Sequence, residues 1–333
     1  MNRIGLHRGA IAVLLTFGAI HGWASNGPCT QSAAKLQTAC GNNVDEEYRV
    51  TLAACLNMSD AAAQDQCATD VRSARDDGNS DCTAVNAARL QVCAALGDIA
   101  YEPKFGPDFA DQFVDPRRIG AGVQPNVYCP LLPGAEWKYK STFKNEDGET
   151  VTERDTVTVT SGVKLIDGIT CVIVDDVVTS TDGSVEATQD WFAQDVRGNV
   201  WYCGEIAQQK ETFDGDDPAK PELVGIDGSW KAGRDFAKPG VQMFASPQKG
   251  KTYRQELLWT EAEDVAEVLS TSANESVSGG AFKCSGRCIE TRDYSALEPD
   301  AQEHKFYAPG VGLILEVDLG NGARNELVSY KHP

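Results

Sequence analysis

Asp190, Glu205, Glu256 and His304 are the residues whose types and surroundings could do chemistry. The first two and the histidine alternate with aromatic or apolar positions. On extended chain that alternation puts Asp190 on a face with Phe192, Glu205 with Trp201 and Cys203, and His304 with Phe306. An unpaired carboxylate on such a face costs on the order of several kcal/mol, or takes up a proton. Three acids and one imidazole are the equipment of general acid–base hydrolysis, with His304 as the member that titrates near neutrality. The same groups could instead orient a polar ligand or recruit a cation. More simply, each could be a hydrogen-bonded strand residue, or one face of an open sheet could meet water. Trp191, Phe192, Trp201, Trp230 and Phe306 are candidate walls for a ligand with an apolar body.

Composition narrows the field. The 333 residues hold 49 Asp+Glu against 30 Lys+Arg, a net charge of −19. That balance argues against nucleic acid and anionic membrane surfaces as partners, because phosphate binding needs clustered positive charge. Of four histidines only His304 and His332 lie beyond position 21, too few for zincin or His-rich metal sites. No cofactor is expected. The one cation admitted is Ca²⁺ at Asp214-Gly215-Asp216-Asp217 beside Glu222, which lacks the spacing of an EF loop and reads more readily as a solvated turn. Gly279-Gly280 is a turn, since no helix or Lys-Ser/Thr follows. Ser285 has no Gly-x-Ser-x-Gly setting.

Four segments must position these residues. Residues 1–24 carry Arg3 and Arg8, a short apolar run to Ile20 and small residues at Gly22 and Ala24, the pattern of a cleaved secretory signal. All eleven cysteines lie beyond it, as expected where disulfides persist. Residues 25–100 form a Cys-rich helical module. Its punctuation suggests four short helices near 30–40, 45–57, 60–76 and 82–96. Cys29, Cys40, Cys55, Cys67, Cys82 and Cys93 follow at palindromic spacings, and no Cys-x-x-Cys occurs, so staples are favoured over a metal site. Two facing hairpins would pair Cys29 with Cys55 and Cys67 with Cys93, leaving Cys40 and Cys82 to join them; a fully nested pattern competes.

Residues 101–128 read as a Gly-, Pro- and Asp-rich linker, with Phe105, Phe109 and Phe113 available as anchors. From 129 to 333 the period becomes two, and Asp-Gly and Asn-Gly dipeptides mark hairpin turns. An antiparallel meander of roughly ten to twelve strands follows. Thr260-Glu261-Ala262-Glu263 has capping-box form, so 261–269 could be helix instead. Cys171 and Cys203 sit in central strand patterns and could pair, Cys284–Cys288 is short but feasible, and one orphan thiol falls in this region. The fold class is therefore α+β: a small disulfide-stapled helical module before a large antiparallel curved sheet or half-barrel.

Several phrases of the β region resemble a largely uncharacterised family of exported bacterial β-rich proteins. They are Asp190-Trp191-Phe192-Ala193-Gln194-Asp195, Val200-Trp201-Tyr202-Cys203-Gly204-Glu205, Tyr253-Arg254-Gln255-Glu256, and Glu303-His304-Lys305-Phe306-Tyr307-Ala308-Pro309-Gly310-Val311-Gly312. The last is also similar, more weakly, to half-barrel lipoprotein-carrier-like proteins. The resemblance implies a curved β architecture outside the cytoplasm and brings no catalytic residues.

The expected protein is exported, periplasmic or extracellular, without a membrane span. It is a non-catalytic binding protein that takes a small apolar or amphipathic ligand on the aromatic face of its sheet, with a cation as an option. An extracytoplasmic hydrolase using the Asp/Glu/His cluster is the second hypothesis. A structural or surface-interaction protein with a filled core and a protein partner is the third.

Overall fold

The computed structural model describes residues 27–333 apart from 146, 147 and 214. The expected signal segment and Asp214 lie outside the described residues.

Two helices, α1 (Pro28–Leu56) and α2 (Ala61–Leu96), form one antiparallel hairpin rather than four short helices. Only the break at Asn57–Asp60 ends a helix. There Asn57 turns back onto Ala54, and the Asp60 side chain accepts the Ala63 N–H at 2.7 Å. The other expected breaks, around Gly41 and Gly78, are helical. Each glycine costs about 1 kcal/mol in a helix interior, and the Cys40–Cys82 bridge holds the two helices together across that stretch.

The disulfides are fully nested, Cys29–Cys93, Cys40–Cys82 and Cys55–Cys67. This corrects the Cys29–Cys55 and Cys67–Cys93 pairing. The physical reason lies in the palindrome itself: one hairpin turning near residue 61 puts cysteines equidistant from that point opposite each other. The only buried side chains of α1 are Cys29, Ala33 and Cys55, so the bridges replace a core that small residues cannot build. Asp98 fastens the open end of the hairpin, accepting the Thr30 N–H at 2.8 Å.

Among the described residues the sheet is antiparallel throughout and has fifteen strands, more than expected because four of them are only two to four residues long. In chain order they are β1 (Glu136–Lys144), β2 (Thr150–Ile166), β3 (Ile169–Ser180), β4 (Val185–Gln194), β5 (Val200–Glu211), β6 (Glu222–Gly225), β7 (Trp230–Lys231), β8 (Lys238–Met243), β9 (Thr252–Arg254), β10 (Glu256–Leu257), β11 (Asp264–Ser276), β12 (Lys283–Ser295), β13 (Gln302–Ala308), β14 (Gly312–Asp318) and β15 (Arg324–Lys331). The main path runs β10-β8-β5-β4-β3-β2-β1-β15-β14-β13-β12-β11-β9. Its two ends, β10 and β9, are consecutive in the chain and meet at Gln255. One segment therefore carries both edges, and the sheet curls into a near-barrel.

Closure needs close backbone approach. Gly240 on β8 sits where a Cβ would fall on the Gln255 backbone. Register shifts in the β4–β5, β13–β14 and β1–β15 pairs supply curvature. The Asp167-Gly168 turn between β2 and β3 has both φ values positive, 45° and 77°, the geometry its dipeptide predicts.

The 101–128 segment is no free linker. Phe113 packs edge-on against Phe105 and Trp201 at 5.2 and 6.0 Å, while Phe109 is absent from these ring contacts. Gln194 accepts the Asn126 N–H at 2.9 Å and donates to the Gln124 carbonyl at 2.8 Å, tying the segment to β4. The helical hairpin docks by the end of α2, where Val92 meets Val265 and Ala296. Beside this contact Arg89 and Glu263 form a buried pair, with N–O distances of 2.6 to 3.1 Å. Glu263 also accepts the Thr260 N–H at 3.0 Å. The capping-box contact is made, but β11 follows instead of a helix.

Candidate functional site

Inward-facing residues of the near-barrel line a partly open cavity of about 440 Å³, within the range of small-molecule sites. Its apolar walls include Val157, Val159, Val174, Leu313 and Phe192. Five carboxyls also line it, from Glu153, Asp155, Asp176, Asp190 and Glu316, against one amine, Lys305. The alternation of β2 generates three consecutive inward positions, Glu153, Asp155 and Val157, and β3 matches them with Asp176 and Val174.

Asp155 pairs with Val178 and Asp176 with Val157, so the two acids are diagonal neighbours whose carboxyls come within hydrogen-bonding reach of each other. Burial, and then the Asp176 charge, push Asp155 up to about 9. Asp176 is raised as well, chiefly by burial, with its hydrogen bond to Asp155 opposing. The pair therefore holds a proton at neutral pH. No N–H or hydroxyl group donates to the buried Oδ1 of either acid.

Further along the interior, Asp190 accepts the Tyr202 hydroxyl at 2.5 Å, and Tyr202 stacks on Phe192 at 4.7 Å between ring centroids. Burial raises Asp190 to about 7 despite that hydrogen bond. Glu205 lies opposite Asp190 in register, and burial followed by the Asp190 charge raises it to about 8. Glu256, only 5% exposed, is pushed well up by burial and then by Asp264 and Glu205, and its Oε2 has no hydrogen-bond partner.

At the opposite wall Lys305 reaches Glu303 at 3.1 Å, Glu316 at 3.2 Å and Asp293 at 3.8 Å. Burial alone would lower its pKa, but these carboxylates raise it well above the usual lysine range.

Three of the four predicted acid–base residues thus share one electrostatic system, and His304 does not. It lies on the other face of β13 from Lys305 and meets Glu290 at 3.2 Å. The alternation was legible, but the inward set on β13 is Glu303, Lys305 and Tyr307. Glu205 is also on a different face from Cys203: the register shift at Gly204 leaves Cys203 without a cross-strand partner, and it bonds to Cys171 instead.

Of the predicted aromatic walls only Phe192 lines the cavity. Trp191, 2% exposed, belongs to a separate core with Cys171, Cys203 and Trp230, and Lys164 caps its ring at 3.6 Å. Trp201 is packed under Phe105 and Phe113 and faces Asp195, and Phe306 is buried in the main core away from the lining. The aromatic lining comes instead from Tyr128 in the preceding segment and, on the strands, from Trp137, Tyr139 and Tyr307. The period-two placement of these last three on β1 and β13 was the available signal.

Cys284–Cys288 and Cys171–Cys203 are bonded, and Cys129 is the orphan, its thiol pushed up to about 12 by burial against the cavity. Among the described residues, the only three potential metal-ligand atoms from His, Cys, Asp or Glu that converge belong to Cys29, Cys93 and Asp98, and those two cysteines form a disulfide. The Ca²⁺ expectation at 214–217 includes Asp214, outside the described residues. Among the described residues no helix is long and apolar enough to cross a membrane.

No protein-family model, no curated protein and no solved structure matches this chain.

Proposed function

We propose that this chain is an exported binding protein whose near-barrel holds a small amphipathic ligand in its interior. The observation that carries the reading is the 440 Å³ cavity whose apolar walls are interrupted by carboxyls set deep among them. A filled structural core would exclude such groups, because each costs free energy to bury without a partner. Five disulfides favour an oxidising compartment outside the cytoplasm, in keeping with the leader-like start and with the resemblance to exported β-rich proteins. Catalysis by an Asp/Glu/His set has less support, since His304 faces away from the acids.

Native mass spectrometry of protein purified from its own host tests this directly. A retained small molecule is expected, released on denaturation. Val174→Trp, which fills the cavity, should lower its occupancy at least tenfold. A ligand-free mass in every preparation would count decisively against a carrier.

A further inference from the structure

We infer that the ligand is an organic cation, an amine with an apolar body, whose ammonium group docks between Asp155 and Asp176. This inference rests on the binding reading above and names its ligand class.

Carboxyl acceptors dominate the polar lining of the cavity, beside the hydroxyls of Tyr128 and Tyr307 and the amides of Gln242 and Asn325. Trp137 already donates its indole N–H to the Val311 carbonyl at 2.7 Å, and Tyr139 its hydroxyl to the Leu313 carbonyl at 3.0 Å. Lys305 is held by Glu303 and Glu316. Asp155 and Asp176, by contrast, have only each other, and no N–H or hydroxyl group reaches the buried Oδ1 of either. A complementary ligand must therefore bring N–H donors, and a positive charge relieves the repulsion among carboxyls crowded into a low-dielectric site.

Tyr139 stands directly across from Asp155 in register. With its hydroxyl turned to the backbone, it presents a ring to a neighbouring cation. An anionic ligand would meet five carboxyls and one already neutralised amine. A metal ion fits less well than an ammonium: among the described residues no three side-chain ligand atoms from His, Cys, Asp or Glu converge in this cavity, and hard cations require six or more oxygens.

Decylamine, decanol and decanoate, matched in chain and different in charge, test the inference when titrated calorimetrically into the full chain at pH 7.5, with CaCl₂ alone as a fourth arm. Decylamine should bind at least tenfold more tightly than decanol, and decanoate should bind weakest. In the Asp155→Asn/Asp176→Asn double variant the amine should lose its advantage, while circular dichroism reports the fold. Decanol binding as tightly as decylamine would overturn the cation inference and leave the carrier standing. Tight CaCl₂ binding that blocks decylamine would also overturn it, in favour of a metal. Failure of all three amphiphiles would remove both readings.

Discussion

Asp155 shows at the scale of one residue what the barrel does to a carboxyl. Its pKa in the folded chain, about 9, stands well above the unfolded value near 4. The unfolded state therefore releases this proton first as pH rises. The residue's contribution to stability is full below about pH 4 and is lost progressively toward pH 9. Asp155→Asn keeps the shape and removes the ionisation. It is expected to stabilise the protein at pH 8 by on the order of 1–3 kcal/mol and by much less at pH 5. Urea unfolding at the two pH values measures this, and an equal gain at both would show that Asp155 is ionised in the native state. Asp155 and Asp176 were as visible in the sequence as Asp190 was. Valines and threonines surround them, so no aromatic neighbour marks them out, and their closeness depends on a diagonal between strands.

At the scale of elements, the main structural decisions are made by short segments. β9 and β10 amount to five residues, yet they carry both ends of the sheet. Gly240 permits that junction, because any side chain there meets the Gln255 backbone. Gly240→Ala should cost about 1–3 kcal/mol through overpacking. Gly41→Ala is the matched control: it lies in α1 with open space around it and should stabilise by about 0.5–1 kcal/mol. Thermal melts of the two variants should move in opposite directions, and a neutral Gly240→Ala would mean that the edges are not locked. The helical hairpin follows another logic. Its cysteine spacings were legible and palindromic, and what sequence could not decide was whether the palindrome described one hairpin or two.

The whole molecule combines an acidic interior with a docked helical arm. Asp190, Glu205, Glu256, Asp293 and Glu316 all have raised pKa values, with burial as the leading cause. Asp115, held by hydrogen bonds from Arg117, and Asp182, held by those from Ser184, are lowered instead and shift away from the neutral range. The sign for the molecule is therefore set: stability falls as pH rises from about 5 to 9, by up to about 1.4 kcal/mol per pH unit for each group still protonated in the native state. Calorimetric melts across that range should show a steadily falling Tm, and an amine ligand should flatten the decline. A Tm that rises with pH would contradict the buried, protonated interior. The arm is tied to this body by Arg89 and Glu263, 4% and 1% exposed, a pair whose partners lie 174 positions apart.

The amino-acid sequence by itself determined the α+β division, the antiparallel hairpins, the six stapled cysteines and the orphan thiol in the β region. These follow from local periods, turn dipeptides and residue counts, which act over a few positions. Only the tertiary structure decided which face of each strand turned inward, which cysteines met, and that Asp155, Asp176 and Lys305 rather than His304 belong to the cavity. Strand alternation defines two faces without saying which is enclosed. Closure of the sheet at Gln255 makes that choice, and with it sets the pKa of every acid inside.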